Sequence, residues 1–368
     1  MQSLARNGYT AEQVRAALHA PNRQIAFRYD LLDNSNNLKK PLGCVQAGSI
    51  ANNSLANIKR TAKFTLWDDG TINFLSDRIQ PWARLKMSGG WVEWPLGVFV
   101  LSTPPRKADI SGTVTREVDA YDLLQVLTDD KVTDRYTVTA GTNYIAAVKA
   151  LLDGALITAQ NLTATNITLP AALDWKPGTT KLQIINDLLG AINYRSLFFD
   201  ENGQAVAQPY VSPDVRASEY TYQDDDQSVI FPEVEQGLDL FGIPNRWVLV
   251  CTEPDRSVLV STYTNSNPSN STSTVNRGRT IVDYQEGQQA ADQASLDALT
   301  QRTAYEASQV YEQVSFDTAI MPMHSDSDVL SLIFTKLGIS AKYSEQSWSF
   351  DLKAGVRMKH QIRRVVSI

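Results

Sequence analysis

The sequence predicts a mainly β protein with α+β content: two β modules of the barrel or sandwich kind flanking a small α+β domain. Three observations predict it. Short segments of alternating polar and apolar residues recur at even spacing between residues 25 and 121. Two apolar stripes of helical period lie beside a hairpin signal in the middle of the chain. Alternation resumes near residue 229 and runs to the end. The expected domains are an N-terminal helix or arm at 1–20, a first β domain at 21–130, an α+β domain at 131–227 and a second β domain at 228–368, with a mobile loop at 265–276.

Composition narrows the function classes. Hydrophobic residues at 43% and charged residues at 20% suit a packed globular protein and exclude a disordered or fibrous one. A length of 368 residues allows two or three domains with real cores. The net charge of −6 gives no basic excess to release counterions, which excludes a general nucleic-acid binder but not a surface that DNA slides past. No apolar run reaches the roughly 18 residues of a membrane span, and MQSLARNGYT lacks the apolar centre of a secretory signal, so no membrane insertion is expected. Cys44 and Cys251 lie far apart in sequence and read as two unpaired thiols.

In chain order, residues 10–18 predict a short helix with Thr10 as its cap and Glu12 near its positive end. Ile25, Phe27, Tyr29 and Leu31 alternate with Gln24, Ala26, Arg28 and Asp30 in a half-buried strand, which the polar run from Asp33 breaks. In residues 58–66, Ile58, Ala62, Phe64 and Leu66 share one face, and Arg60 interrupts it. Residues 82–94 read as a hairpin around Ser88, Gly89 and Gly90; strands at 97–102 and 113–121 follow, separated by Pro104 and Pro105. Strands with one apolar face must close or stack to hide their edges. A helical turn at 122–127 leads out of the module.

The α+β region begins with a helix capped by Thr142, whose stripe is Tyr144, Ile145, Val148, Leu151 and Leu152 and whose stop is Gly154. Residues 162–169 read as a loop or edge strand. In residues 173–210 every local signal agrees. A turn at Trp175 to Gly178 precedes Thr179 or Thr180 as cap, and Leu182, Ile185, Leu188, Leu189 and Ile192 form the stripe. A strand at 194–199, the Asn202-Gly203 turn and a strand at 204–210 complete the unit.

Beyond Val229, strands are expected at 247–250 and 258–263. The 265–276 segment, almost wholly Asn, Ser, Thr and Pro, cannot bury enough apolar area to order itself. Residues 290–311 predict a helix with a weak stripe, and Val314, Phe316, Thr318 and Ile320 a strand ended by Pro322. Near the C-terminus, Val356, Met358, Ile362, Val366 and Ile368 share one face, opposite a cationic row of Arg357, Lys359 and Arg363.

Chemistry-bearing motifs are few, and no catalytic, cofactor or metal residues are assigned. His19, His324 and His360 are the only histidines, which leaves few proton shuttles near neutral pH. The crowded run His324, Ser325, Asp326, Ser327, Asp328 matches no metal spacing and reads as a solvated turn, with Asp326 or Asp328 capping the apolar stretch that follows. Asp224, Asp225 and Asp226 could hold a cation, although a hydrated acidic turn fits better. Trp67, Trp82, Trp91 and Trp94 could form a sugar-binding platform, but at strand spacing core or subunit-interface positions fit better. The Arg357, Lys359 and Arg363 face suits a subunit contact or solvent more than DNA readout. Esterase, zinc-protease and phosphate-loop motifs do not occur, so no enzyme activity is expected.

The 173–210 block, with Asp174-Trp175 before Pro177-Gly178-Thr179, an Ile-Ile-Asn-Asp-Leu-Leu helix, an Ile-Asn-Tyr exit and a closing Pro209-Tyr210, resembles the middle segment of tail hub proteins of long-tailed bacteriophages. The segments TINFLSDRIQPWARLKM, PLGVFVLSTP and REVDAYDLLQVL resemble that family's first barrel-like domain. IPNRWVLV, VSFDTAIMPMHSDSDVLSL and GVRMKHQIRRVV resemble its second. The resemblance implies two tail-tube-like β domains and a structural virion protein at the tail tip, assembled in the host cytoplasm. It implies a homotrimer that adapts a sixfold tail tube or distal tail ring to threefold tip, fibre or spike proteins. A tape measure protein would lie inside its channel, and DNA would pass without specific binding. The alternative is a carbohydrate- or receptor-binding tail protein; a cell-wall hydrolase is the weaker one.

Overall fold

The computed structural model describes residues 1–368 apart from 109, 111, 214, 239, 253–256, 289–291, 308 and 368. Strands take 42% of the residues and helices 16%, which makes the fold mainly β as expected. The chain forms two compact units, residues 1–234 with 316–361 and residues 235–315 with 362–368.

In the first unit, helix α1 (Ala11–His19) starts at Thr10, whose hydroxyl accepts from the Gln13 amide while the Gln13 side chain accepts from the Thr10 amide. Nine strands follow: β1 (Ile25–Leu32), β2 (Leu38–Leu42), β3 (Val45–Asn53), β4 (Arg60–Trp67), β5 (Arg78–Met87), β6 (Gly90–Pro95), β7 (Phe99–Leu101), β8 (Lys107–Ala108) and β9 (Val114–Tyr121). All their pairings are antiparallel. Alternation decides which side chains go in. Phe64 and Leu66 of β4 are buried and Lys63 and Trp67 are exposed, as the period-2 pattern requires. Arg60, the residue that interrupts the apolar face, is buried too.

Two edges of this sheet, the branch strand β6 and the terminal strand β2, are protected. The N-terminal arm lies along β6: Arg6 donates to the Glu93 carbonyl, Asn7 accepts from the Glu93 amide and Gln2 donates to the Pro95 carbonyl. Side chains thus satisfy backbone groups that a bare edge would offer to another chain. At the other edge, β2 carries Lys39, Lys40 and Pro41, which resist further pairing.

Helix α2 (Leu124–Asp129) leads to β10 (Tyr136–Val138), α3 (Tyr144–Gly154), β11 (Gln160–Leu162), β12 (Leu173–Trp175), α4 (Lys181–Ala191), β13 (Phe198–Phe199) and β14 (Ala205–Ala207). The cap of α3 is Asn143 rather than Thr142; its Oδ1 accepts from both the Ile145 and Ala146 amides, which one hydroxyl would not do. Thr180 caps α4 through the Gln183 amide. The stripes of the two helices meet in an aliphatic core that includes Val148, Leu152, Ile185, Leu188 and Leu189, each worth about 1.5–3 kcal/mol on full burial. The strand expected at 194–199 shrinks to two residues. Asn193 has a positive φ of 56°, and the Leu197 amide donates to the Asn186 side chain instead of to a neighbouring strand.

The Asn-Gly turn is where this region meets the first β module. Asp200 accepts from the Asn202 and Gln204 amides, and Gly203 has φ +76°. A Cβ on Gly203 would lie 3.0 Å from Val98, so glycine serves both the left-handed conformation and the close approach.

The rest of the first unit comes from β15 (Tyr220–Gln223), the start of β16 (Ile230–Leu238), the end of β20 (Gln309–Ala319), β21 (Val329–Phe334), β22 (Ile339–Asp351) and the start of β23 (Arg357–Ser367). β22 pairs with β3, Ser347 to Asp351 opposite Asn53 to Ser49. One sheet path therefore runs β23-β22-β3-β4-β9 across the two β regions of the chain. Phe350, Ile50, Ala62 and Ala120 line its inner face, and Ser349, Ala51, Ser49 and Lys63 its outer face.

The second unit holds β17 (Arg246–Cys251), β18 (Leu259–Thr264) and β19 (Val282–Gln285) in the order β18-β17-β19, the short α5 (Thr274–Arg277), and α6 (Gln293–Ala307). Leu296 and Ala304 of α6 pack on Trp247, Leu249 and Cys251. The helix expected at 290–311 is shorter: 290, 291 and 308 lie outside the described residues, and 309–311 already belong to β20, in keeping with the strand propensity of Val310 and Tyr311. The Asn-rich 265–276 segment is held by hydrogen bonds rather than apolar burial. Buried Asn245 donates to the Thr272 and Arg279 carbonyls, and Asn276 donates to those of Pro268 and Asn270.

Candidate functional site

The run at 324–328 is not a solvated turn. His324, Asp326 and Asp328 are buried, at 1%, 6% and 1% exposure, and the stretch that follows is strand β21, not a helix. Burial is tolerable because each charge has a partner. Asp326 pairs with Arg195, which enters from the exit of α4. Asp328 accepts from the Ser325 amide at 2.9 Å and meets the Met1 amine at 2.7 Å. Ser325 donates to Glu201 at 2.6 Å, and Glu201, in the Asn-Gly turn, accepts from Arg60 at 2.8 Å. Trp348 donates to the Ser325 carbonyl and lies under the Arg60 guanidinium.

This junction joins three parts of the chain within the first unit. Arg60 comes from β4, Glu201 and Arg195 from the α+β region, and Ser325 and Asp326 from the β20–β21 connection. Losing one member would strand a buried charge, which fixes their relative positions more tightly than apolar contact does.

Deeper in, Glu345 of β22 spans two imidazoles. Its Oε2 lies 2.6 Å from His324 Nδ1 and its Oε1 2.7 Å from His360 Nδ1, and all three residues are fully enclosed. Tyr222 of β15 contacts His324 Nε2 at 2.6 Å, and Thr318 of β20 contacts His360 Nε2 at 2.9 Å. Burial opposes a charge on His324, but the Glu345 and Asp328 carboxylates outweigh it and raise the group to about 9. Burial holds His360 below the usual imidazole range, and it pushes the Tyr222 phenol well above its own. Among the described residues, the ligand atoms of His324, Glu345 and His360 lie within 4.8 Å of one another, a grouping that could hold a metal ion.

The other residues singled out by sequence do not join this cluster. His19 is engaged at both nitrogens, by the Gln227 carbonyl and the Tyr220 hydroxyl. Asp224 accepts from the Thr335 amide and hydroxyl, which holds its carboxyl below the ordinary range, and Asp225 accepts from the Gln227 amide. Trp94 is buried, Trp82 lies under Arg28, Trp91 under Arg84 and Lys86, and Trp67 is half exposed at the end of β4. Arg357 pairs with Glu233 and stacks on Phe231, so the cationic row is partly neutralised, while Lys359 is exposed. Ile368 lies outside the described residues. Cys44 and Cys251 are buried free thiols. No described helix is long and apolar enough to cross a membrane.

Sequence reasoning missed Glu201, Arg195, Glu345 and Tyr222, polar residues whose partners sit on other elements of the chain. One signal was available: Arg60, a cation on the apolar face of a strand, demands a buried acid.

No protein-family model matches the sequence, and no curated protein does. Solved structures do match. The chain is similar to a tail protein from Neisseria meningitidis MC58, with a TM-score of 0.62 at 13% identity over 92% of this chain and 97% of that one. It is similar to the 43 kDa tail protein of prophage MuSo2 from Shewanella oneidensis, with a TM-score of 0.59 at 11% identity over 92% and 98%. A Francisella PdpA-VgrG complex matches with a TM-score of 0.56 at 10% identity, over 95% of this chain and 55% of that one. The chain thus shares its fold with these solved tail proteins. The hub resemblance read from its sequence is met at the level of the fold.

Proposed function

We propose that this chain is a structural subunit of a bacteriophage tail tip, a homotrimeric hub that encircles the DNA exit channel. The carrying observation is the one sheet path that joins the two β regions through the β22–β3 pairing, in a fold shared along nearly the whole length of two tail proteins. Three chains, each with two β modules, offer six related faces to a sixfold tube or distal tail ring, and three α+β domains to threefold tip, fibre or spike proteins. Its partners are then its own copies, the tail tube or distal tail protein, the tip proteins and a tape measure protein within the channel. It would assemble in the host cytoplasm and remain in the virion. Three copies carry three times −6, or −18, which favours passage of DNA without adhesion.

The role needs rigidity rather than chemistry, and the buried junction at Arg60, Glu201, Arg195 and Asp326 supports that reading. The proposal includes no enzyme activity and no required cofactor. Light scattering of the purified chain with tail-tube rings tests it: a trimer that stacks on the rings is expected. A monomer that ignores the rings and binds glycan arrays would favour the carbohydrate-binding alternative, and wall clearing in a zymogram that is lost on His324→Ala would favour a hydrolase.

A further inference from the structure

Glu345 holds two imidazole nitrogens at once in a closed interior. Its two oxygens lie 2.6 Å from His324 Nδ1 and 2.7 Å from His360 Nδ1, and the two ring centroids are 5.0 Å apart. The far nitrogens of the same rings meet the Tyr222 and Thr318 hydroxyls at 2.6 Å and 2.9 Å, so each ring is fixed from both sides. Two nitrogens and a carboxylate aimed at one another, each ring held from behind, are the parts of a metal site.

We propose that His324, Glu345 and His360 form a buried site for one divalent transition-metal ion of the zinc class. The Nδ1 atoms of both rings converge on Glu345, and the three ligand atoms lie within 4.8 Å of one another. Two imidazole nitrogens and one carboxylate, with no thiolate, are a borderline donor set suited to zinc with one coordination position left open. The far nitrogens fit as well. Ligating histidines usually donate their other N–H to a fixed acceptor, and Tyr222 and Thr318 stand in those positions. Binding requires both Nδ1 atoms to be unprotonated, so any proton carried on either Nδ1 is released to solvent as the ion binds. The donors come from β22, β23 and the β20–β21 connection, so the ion would clamp these segments together, whatever the protein's place in a particle.

The test is expression in minimal medium with Zn2+, with Co2+, or with neither, followed by elemental analysis, visible absorption and thermal melting of the folded protein. One ion per chain, a four-coordinate Co2+ spectrum and a melting temperature raised by about 5 °C over the metal-free protein are expected. His360→Asn, checked for folding by circular dichroism, should lose the spectrum and the stoichiometric ion. If that variant does not fold, the wild-type stoichiometry and spectrum decide alone. Folded wild-type protein with less than a tenth of an ion per chain, or a Co2+ spectrum unchanged in folded His360→Asn, overturns the proposal. Neither result bears on whether the chain is a tail-tip trimer.

Discussion

Two interiors of the first unit are built on opposite terms. Between α3 and α4 the core is aliphatic, with Val148, Leu152, Ile185 and Leu188 fully enclosed. Where β15, β20, β22 and β23 meet, the interior holds Tyr222, Thr318, His324, Asp328, Glu345 and His360, each at most 3% exposed. The first accepts any filling of about the right volume. The second accepts only a complete set of partners, because one missing group leaves a buried charge or donor behind. Stability can therefore be general in one place and specific in another within a single fold.

The comparison breaks most visibly at Glu345. Replacing Glu345→Ala removes the carboxylate that spans two imidazoles, and denaturant melts should show a loss of about 3–5 kcal/mol; a loss under 1 kcal/mol would mean that the polar interior is incidental. Leu188→Ala should cost about 2–5 kcal/mol through the cavity it leaves, and about the same at pH 5 and pH 8, since the group removed is an uncharged hydrocarbon.

Asp122 sharpens the contrast, because it is a charge at the margin of the aliphatic core. Burial raises its carboxyl to about 6 although the Arg60 and Leu124 amides donate to it. The folded state then holds the proton more tightly than the unfolded chain, whose group titrates near 3.8. The associated stability is complete below about pH 4 and is lost as pH rises through 6. Asp122→Asn should remove that slope, worth up to about 3 kcal/mol across the window. An identical slope in the variant would contradict the assignment. Smallest of the set, Thr180→Ala should cost about 1 kcal/mol by leaving the Gln183 amide of α4 without its cap, and hydrogen exchange should localise the effect to the first turn.

The same contrast explains how much the sequence disclosed. The aliphatic core was legible because its residues repeat at helical spacing: α4, its Thr180 cap and the Asn202-Gly203 turn could be read locally. So could the alternation of β4. The polar interior was not legible, because Tyr222, His324, Glu345 and His360 come from four segments brought together only by strand pairing. The 324–328 run was misread as solvated, since a cluster of Asp and Ser gives no sign that Arg195 and Ser325's partner Glu201 wait more than a hundred positions upstream. Nor does alternation reveal which strand will pair with which, so the β22–β3 pairing had no local sign in the sequence.

The proposal for the whole molecule turns on copy number at the tail tip. A reconstruction of intact particles, with symmetry determined along the tail axis, should place three copies of this chain in one ring about the channel, with sixfold density on one side and threefold on the other. A copy number not divisible by three, or a position away from the tip, would contradict it.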